Sequence, residues 1–83
     1  MNALNDLAVI LKTELLVEQQ IFAKKLREIS PYIQHSETLL LVEQLIKNID
    51  EHDQNAYNET HKDLIDLLHK KFNFSLRELA ITR

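Results

Sequence analysis

Four histidines, His35, His52, His61 and His69, are the side chains of this 83-residue chain that exchange a proton near neutral pH without special help. Metal sites in helical bundles use Glu-x-x-His pairs contributed by more than one helix. No histidine here follows a glutamate by three, although Asp66 precedes His69 at that spacing. His61 and His69 stand two helical turns apart, about 12 Å along an axis, too far to share one ion. His61 falls between Tyr57 and Leu64 on an apolar face, where a histidine is expected half-buried with one ring nitrogen hydrogen-bonded. The pair His61-Lys62 also suits the phosphoacceptor of a phosphotransfer bundle. Such a domain needs a small residue nearby to admit the aspartate donor, and Asp63 and Leu64 follow instead. A histidine-dependent phosphotransfer or metal-binding bundle is therefore the alternative functional reading.

The remaining chemistry-bearing residues point away from catalysis. Asp50, Glu51 and Asp53 cluster in a polar stretch with no apolar neighbours in sequence to raise a carboxyl pKa. Ser30, Ser36 and Ser75 sit where helix caps are needed, and there is no cysteine to act as nucleophile, thiolate ligand or disulfide partner. Glycine is absent as well, so phosphate-cradling loops have no material. No enzyme activity, cofactor or metal is expected. A net charge of −3 and a pI near 5.7 disfavour nucleic acid, whose binding rests on phosphate neutralisation. Lys24, Lys25 and Arg27 make the one basic cluster, diluted by Glu28. The longest apolar runs, Leu7 to Leu11 and Leu39 to Val42, fall far short of the roughly 18 residues of a membrane span. Lacking a positive charge ahead of an apolar block, the N-terminus does not read as a secretory signal, and the expected location is cytoplasmic.

With no glycine and Pro31 as the single proline, little in the sequence interrupts a helix. The first helix is predicted from Asn2 or Asn5 to about Ile29, where the residue before Pro31 is pushed out of helical geometry. Such a helix would be about 40 Å long. Leu4, Leu7, Ala8, Leu11, Leu15, Phe22, Leu26 and Ile29 would share its core face. A second helix starts at Ser30-Pro31 or at Ser36 and buries Leu39, Leu41, Val42, Leu45, Ile46 and Ile49. Asp53 or Asn55 caps a third, whose apolar face carries Tyr57, His61, Leu64, Ile65, Leu67, Leu68 and Phe72 and which stops near Asn73. Residues 37 to 72 would also suit one continuous helix. The break is preferred because Asn and Asp side chains compete with helical hydrogen bonds. Ser75 and Glu78 have capping-box spacing and open a short last helix to about Ile81, carrying Leu76, Leu79 and Ala80.

The predicted fold is all-α, one domain over residues 1–83: a small antiparallel bundle of three helices plus a short C-terminal helix. Should 37 to 72 be continuous, a helical hairpin would complete a four-helix bundle as a dimer. Leu11, Leu15, Phe22, Leu45, Ile49, Leu64 and Leu68 are the expected core. Function is sought in apolar residues off the core stripes. Val9, Leu16 and Ala23 recur every seven positions on the first helix, Leu40 sits in the polar face of the second, and Ile33 falls near it. A row of exposed apolar residues marks a contact surface, and Val9, Leu16, Ile33 and Leu40 are the expected partner contacts. The competing explanation is a first helix buried between two neighbours. The expected function is a non-enzymatic protein–protein interaction module of the size and class of small bacterial adapters, chaperones, immunity proteins and anti-activators, an analogy at fold level only. A homodimer is expected, because a 40 Å helix would overhang partners of about 27 Å.

Overall fold

The structure is a computed structural model that describes residues 2–79. Asn2 opens the first helix, its Oδ1 accepting from the amides of Leu4 at 3.1 Å and Asn5 at 3.3 Å. This helix, α1 (Ala3–Lys12), ends far earlier than the apolar periodicity predicts. Thr13 turns its hydroxyl back to the carbonyl of Ile10 at 2.8 Å, a bond that competes with helix continuation. A 3₁₀ turn (Glu14–Leu16) follows, Val17 and Glu18 are extended, and α2 (Gln19–Ile29) resumes the helical pattern. The expected single 40 Å helix is thus two short ones joined at a corner. The overhang that motivated an expected dimer disappears with it.

A second 3₁₀ turn (Ser30–Tyr32) contains Pro31, and α3 (Ser36–Asp50) begins at the later of the two predicted starts. His35 caps it, Nδ1 accepting from the amide of Thr38 at 3.2 Å. The ring also stands edge-on to Phe72, with centroids 4.9 Å apart. The chain then reverses in three residues. His52 adopts φ 55°, its amide returns to the carbonyl of Ile49, and the amide of Asp53 returns to Asn48, the paired bonds of a Schellman ending. Asp53 immediately caps α4 (Gln54–Phe72) by accepting from Ala56 at 3.1 Å. Residues 37 to 72 therefore form two helices, in a hairpin. Asn73 closes α4 at φ 63°. The predicted capping box is present, with Ser75 Oγ accepting from Glu78 and Glu78 Oε1 accepting from Ser75, and it starts α5 (Leu76–Leu79). The expected extension to Ile81, including Ala80, lies outside the described residues.

The all-α fold class holds, and the described residues contain no strand. α3 packs along α4, α2 against α3, and α5 against α1, in a body measuring 32 × 30 × 19 Å. One core joins all five helices: Leu7 and Leu11 from α1, Phe22, Ala23 and Leu26 from α2, Val42, Leu45 and Ile49 from α3, Tyr57, Leu64 and Leu68 from α4, and Leu79 from α5. Six of the seven expected core residues are buried. Leu15 is not, at 64 % exposed, because the corner rotates it away from the stripe that an unbroken helix would have kept. Ile33 and Ala23 err in the opposite sense. Ile33 is 5 % exposed, since the segment before α3 is extended and drops its side chain into the core, and so it is not available as a partner contact. Ala23 lies buried where α2 meets its neighbours.

Truncating Leu11, Phe22, Leu45, Ile49, Leu64 or Leu68 to alanine should cost about 2–5 kcal/mol each, whereas Leu15→Ala should cost under about 0.5 kcal/mol. Denaturant melts of the set check this, and a Leu15 variant as damaged as the others would restore the continuous helix. His52→Gly should raise stability by up to about 1 kcal/mol, because only glycine occupies φ > 0 without a Cβ penalty.

Candidate functional site

The corner between α1 and α2 sorts its side chains sharply. Glu14 turns inward and its carboxylate accepts a hydrogen bond from the Tyr57 hydroxyl at 3.0 Å. His61, one turn further along α4, lies parallel to the Tyr57 ring with centroids 5.8 Å apart. Its Nε2 stands 3.8 Å from the other carboxylate oxygen, buried and without a hydrogen-bond partner. Burial disfavours the imidazolium and holds the His61 pKa below its ordinary value, against the opposing pull of the Glu14 charge. Burial, the Glu14 charge and the hydrogen bond to Glu14 all raise the Tyr57 pKa. Gln19 Nε2 donates to Gln54 at 3.4 Å and makes a second tie between the corner and the start of α4.

Leu15 and Leu16 point the other way, 64 % and 71 % exposed on consecutive positions of the 3₁₀ turn. Ile21, in the first turn of α2, is also exposed. Of the four residues expected at a partner surface, Val9, Leu16 and Leu40 are exposed and Ile33 is buried. The exposed three do not form a single row. Val9 borders a concavity of about 460 Å³ with Ala8, Thr13 and Phe74. Leu40 borders a groove of about 530 Å³ between α3 and α4, floored by Leu41 and Leu67. Leu15 and Leu67 escaped the sequence reading because an unbroken first helix assigns Leu15 to the core, and a periodic stripe assigns Leu67 there too. Glu14 did leave a signal: it is the lone carboxylate between Leu7 and Val17, and a charge inside an apolar run needs a partner.

The other histidines serve local structure. His35 caps α3, His52 occupies the left-handed turn, and His69 Nδ1 donates to the carbonyl of Phe74 at 2.7 Å. Among the described residues no three His, Cys, Asp or Glu side chains converge on a metal position. No helix among them is long and apolar enough to cross a membrane. The Arg27–Asp50 ion pair, at 2.8 and 2.9 Å, links α2 to the end of α3 with both side chains half-exposed, where such pairs contribute little. No protein family, curated protein or solved structure matches the chain.

The cluster predicts a pH dependence. Folding favours neutral His61, whereas the unfolded chain takes up a proton near pH 6.5. The folded state then binds fewer protons, so stability contributed by His61 is complete above about pH 6.5 and falls as the pH drops through the lowered pKa. Tyr57 acts at the other end. Its raised pKa makes stability fall above about pH 10, where the unfolded chain ionises first. Chemical denaturation across pH 4–8 should show a steeper acid loss in the wild type than in His61→Gln, and identical slopes would contradict the assignment.

Proposed function

We propose that this chain is a non-enzymatic protein-contact module whose Leu15–Leu16 corner fits an apolar cleft on a protein partner. The observation that carries the reading is a pair of adjacent leucines, each more than 60 % exposed, on a protein whose core is complete without them. Isolated exposed leucines are ordinary on protein surfaces. Two on one tight turn, anchored from beneath by the Tyr57–Glu14 bond, form an apolar projection. A projection anchored before binding loses less conformational entropy when it docks than an unanchored loop would. The adapter, chaperone, immunity and anti-activator roles all act by such contact, and the residues do not choose among them.

The histidine-dependent alternative gains no support from the geometry. His61 Nε2, the nitrogen nearest Glu14, is buried behind that carboxylate rather than presented to an incoming group.

Leu16→Asp should leave the helical circular dichroism unchanged and shift stability by no more than about 0.5 kcal/mol, since the side chain is already exposed. Binding should fall sharply, because a docked aspartate would be an unpaired buried charge. A photoreactive residue at position 16, introduced in the source organism, identifies the partner. The purified partner must then bind wild type and fail to bind Leu16→Asp. Equal binding to both would reject the corner, and an unfolded variant would mean that the leucines belong to an interior.

A further inference from the structure

A second surface, independent of the corner, carries its own argument. The groove on the outer side of the α3–α4 hairpin combines apolar and charged residues in a particular order. Leu40, 54 % exposed, and Leu41 on α3 face Leu67 on α4 across its floor. Along α4, Asp63 and Asp66 precede Leu67, and Lys70 and Lys71 follow it. The α4 wall of the groove is therefore acidic at one end and basic at the other, with its apolar centre at Leu67, while Glu37 at the start of α3 adds a carboxylate to the opposite wall. At ~100° per residue these five α4 positions fall within about 140° of one another and share a face. None of these four charges forms an ion pair among the described residues, where Arg27 pairs with Asp50 and neutral His61 lies beside Glu14.

We infer that this face binds a second copy of the chain, α4 against α4 in antiparallel register about a two-fold axis at Leu67. Such an axis places each copy's acidic end on the other's basic end. Asp63 comes level with Lys71 of the second copy, four residues from the axis on either side. Asp66 comes within about 3 Å, along the helix, of the level of the second copy's Lys70. An isologous contact needs this self-complementarity, and a charge series that reverses sign about its centre supplies it. The size also fits. Two packed helices about 22–28 Å long and together about 20 Å wide offer roughly 500 Å² per copy, at the low end for a specific interface. The dimer is accordingly weak, in the micromolar range, and leaves both Leu15–Leu16 corners free. The inference deepens the protein-contact reading but stands on a different surface, so each can fail without the other.

Sedimentation equilibrium at about 100 μM decides first: the expected mass is twice the 9.8 kDa of one chain, and a monomer overturns the inference. The paired reversal Asp63→Lys with Asp66→Lys should weaken the dimer at least about tenfold, as should Lys70→Glu with Lys71→Glu, with helicity retained in both. Mixing the two variants in equal amounts should restore association, because one copy then offers four cations to the other's four anions. The fourfold variant carrying both reversals should dimerise by itself. Failure of the mixture or of the fourfold variant to associate overturns the register. A dimer indifferent to either reversal places the contact elsewhere. Leu16→Asp must leave the dimer intact. If it abolishes dimerisation, the second copy sits on the corner and this inference is wrong, whereas a retained dimer with retained partner binding rejects only the corner.

Discussion

Glu14 turns inward on a turn whose leucines face outward, and the hydrogen bond its carboxylate accepts from Tyr57 fixes how the N-terminal third of the chain lies on the rest. α1 and α2 are each about three turns long, too short to be stable alone in water. They persist because the corner lets Leu7 and Leu11 from one, and Phe22 and Leu26 from the other, reach the same core. A straight helix of that length could not bring both sets to α3 and α4. The corner has to be held against the helical preference of its own residues. The Thr13 hydroxyl on Ile10 and the Glu14 carboxylate under Tyr57 oppose that preference, the second across 43 residues of sequence. The orientation of Leu15 and Leu16 is a consequence of the same anchoring: with Glu14 facing in, its successors face out.

Reversing the chain without glycine imposes the second constraint. Left-handed backbone is required at the end of α3 and of α4, and it falls to His52 and Asn73. Asparagine tolerates that region through local side-chain hydrogen bonding, and histidine is enriched there too, though each carries a Cβ cost that glycine would avoid. Helix starts are met in the same manner, by Asn2, His35, Asp53 and Ser75, and His52 and His69 serve helix ends, so three of the four histidines have local structural roles. His61 is the exception. It sits over Tyr57 with a buried, unpartnered nitrogen, and its environment ties the stability of the corner's docking site to pH.

The proposed contacts rest on two surfaces. The corner is apolar and convex, and the α4 wall of the α3–α4 groove is apolar at its centre and oppositely charged at its ends. On the proposed readings, a projection and a self-complementary face on different elements would let one small chain meet a partner and a copy of itself at once. Leu15, Leu16, Leu40, Asp63, Lys70 and Lys71 are already exposed, and Leu41, Asp66 and Leu67 are partly so.

Much of the architecture was legible from the residues themselves. Apolar spacing of three and four marked most of the buried residues, Asn73 and the Ser75–Glu78 pair marked helix ends at the positions found, Asn2 and Asp53 were each one of two predicted starts, and the polar run after Asp50 marked the preferred break. These are local effects: a cap or a stripe acts through neighbours within a turn or two, so the sequence determines it. The corner at Thr13 to Glu18 was not legible, since no proline or glycine signals it and the apolar period lapses for only one turn, at Glu18 and Gln19, before resuming at Phe22. Its cause is the bond to Tyr57 and the shared core beyond, contacts between segments distant in the chain. The candidate surfaces divide in the same way. Leu16 and Leu40 were visible as apolar residues off the stripes, whereas the exposure of Leu15 and the burial of Ile33 followed from how the segments beside them dock, which tertiary packing alone decided.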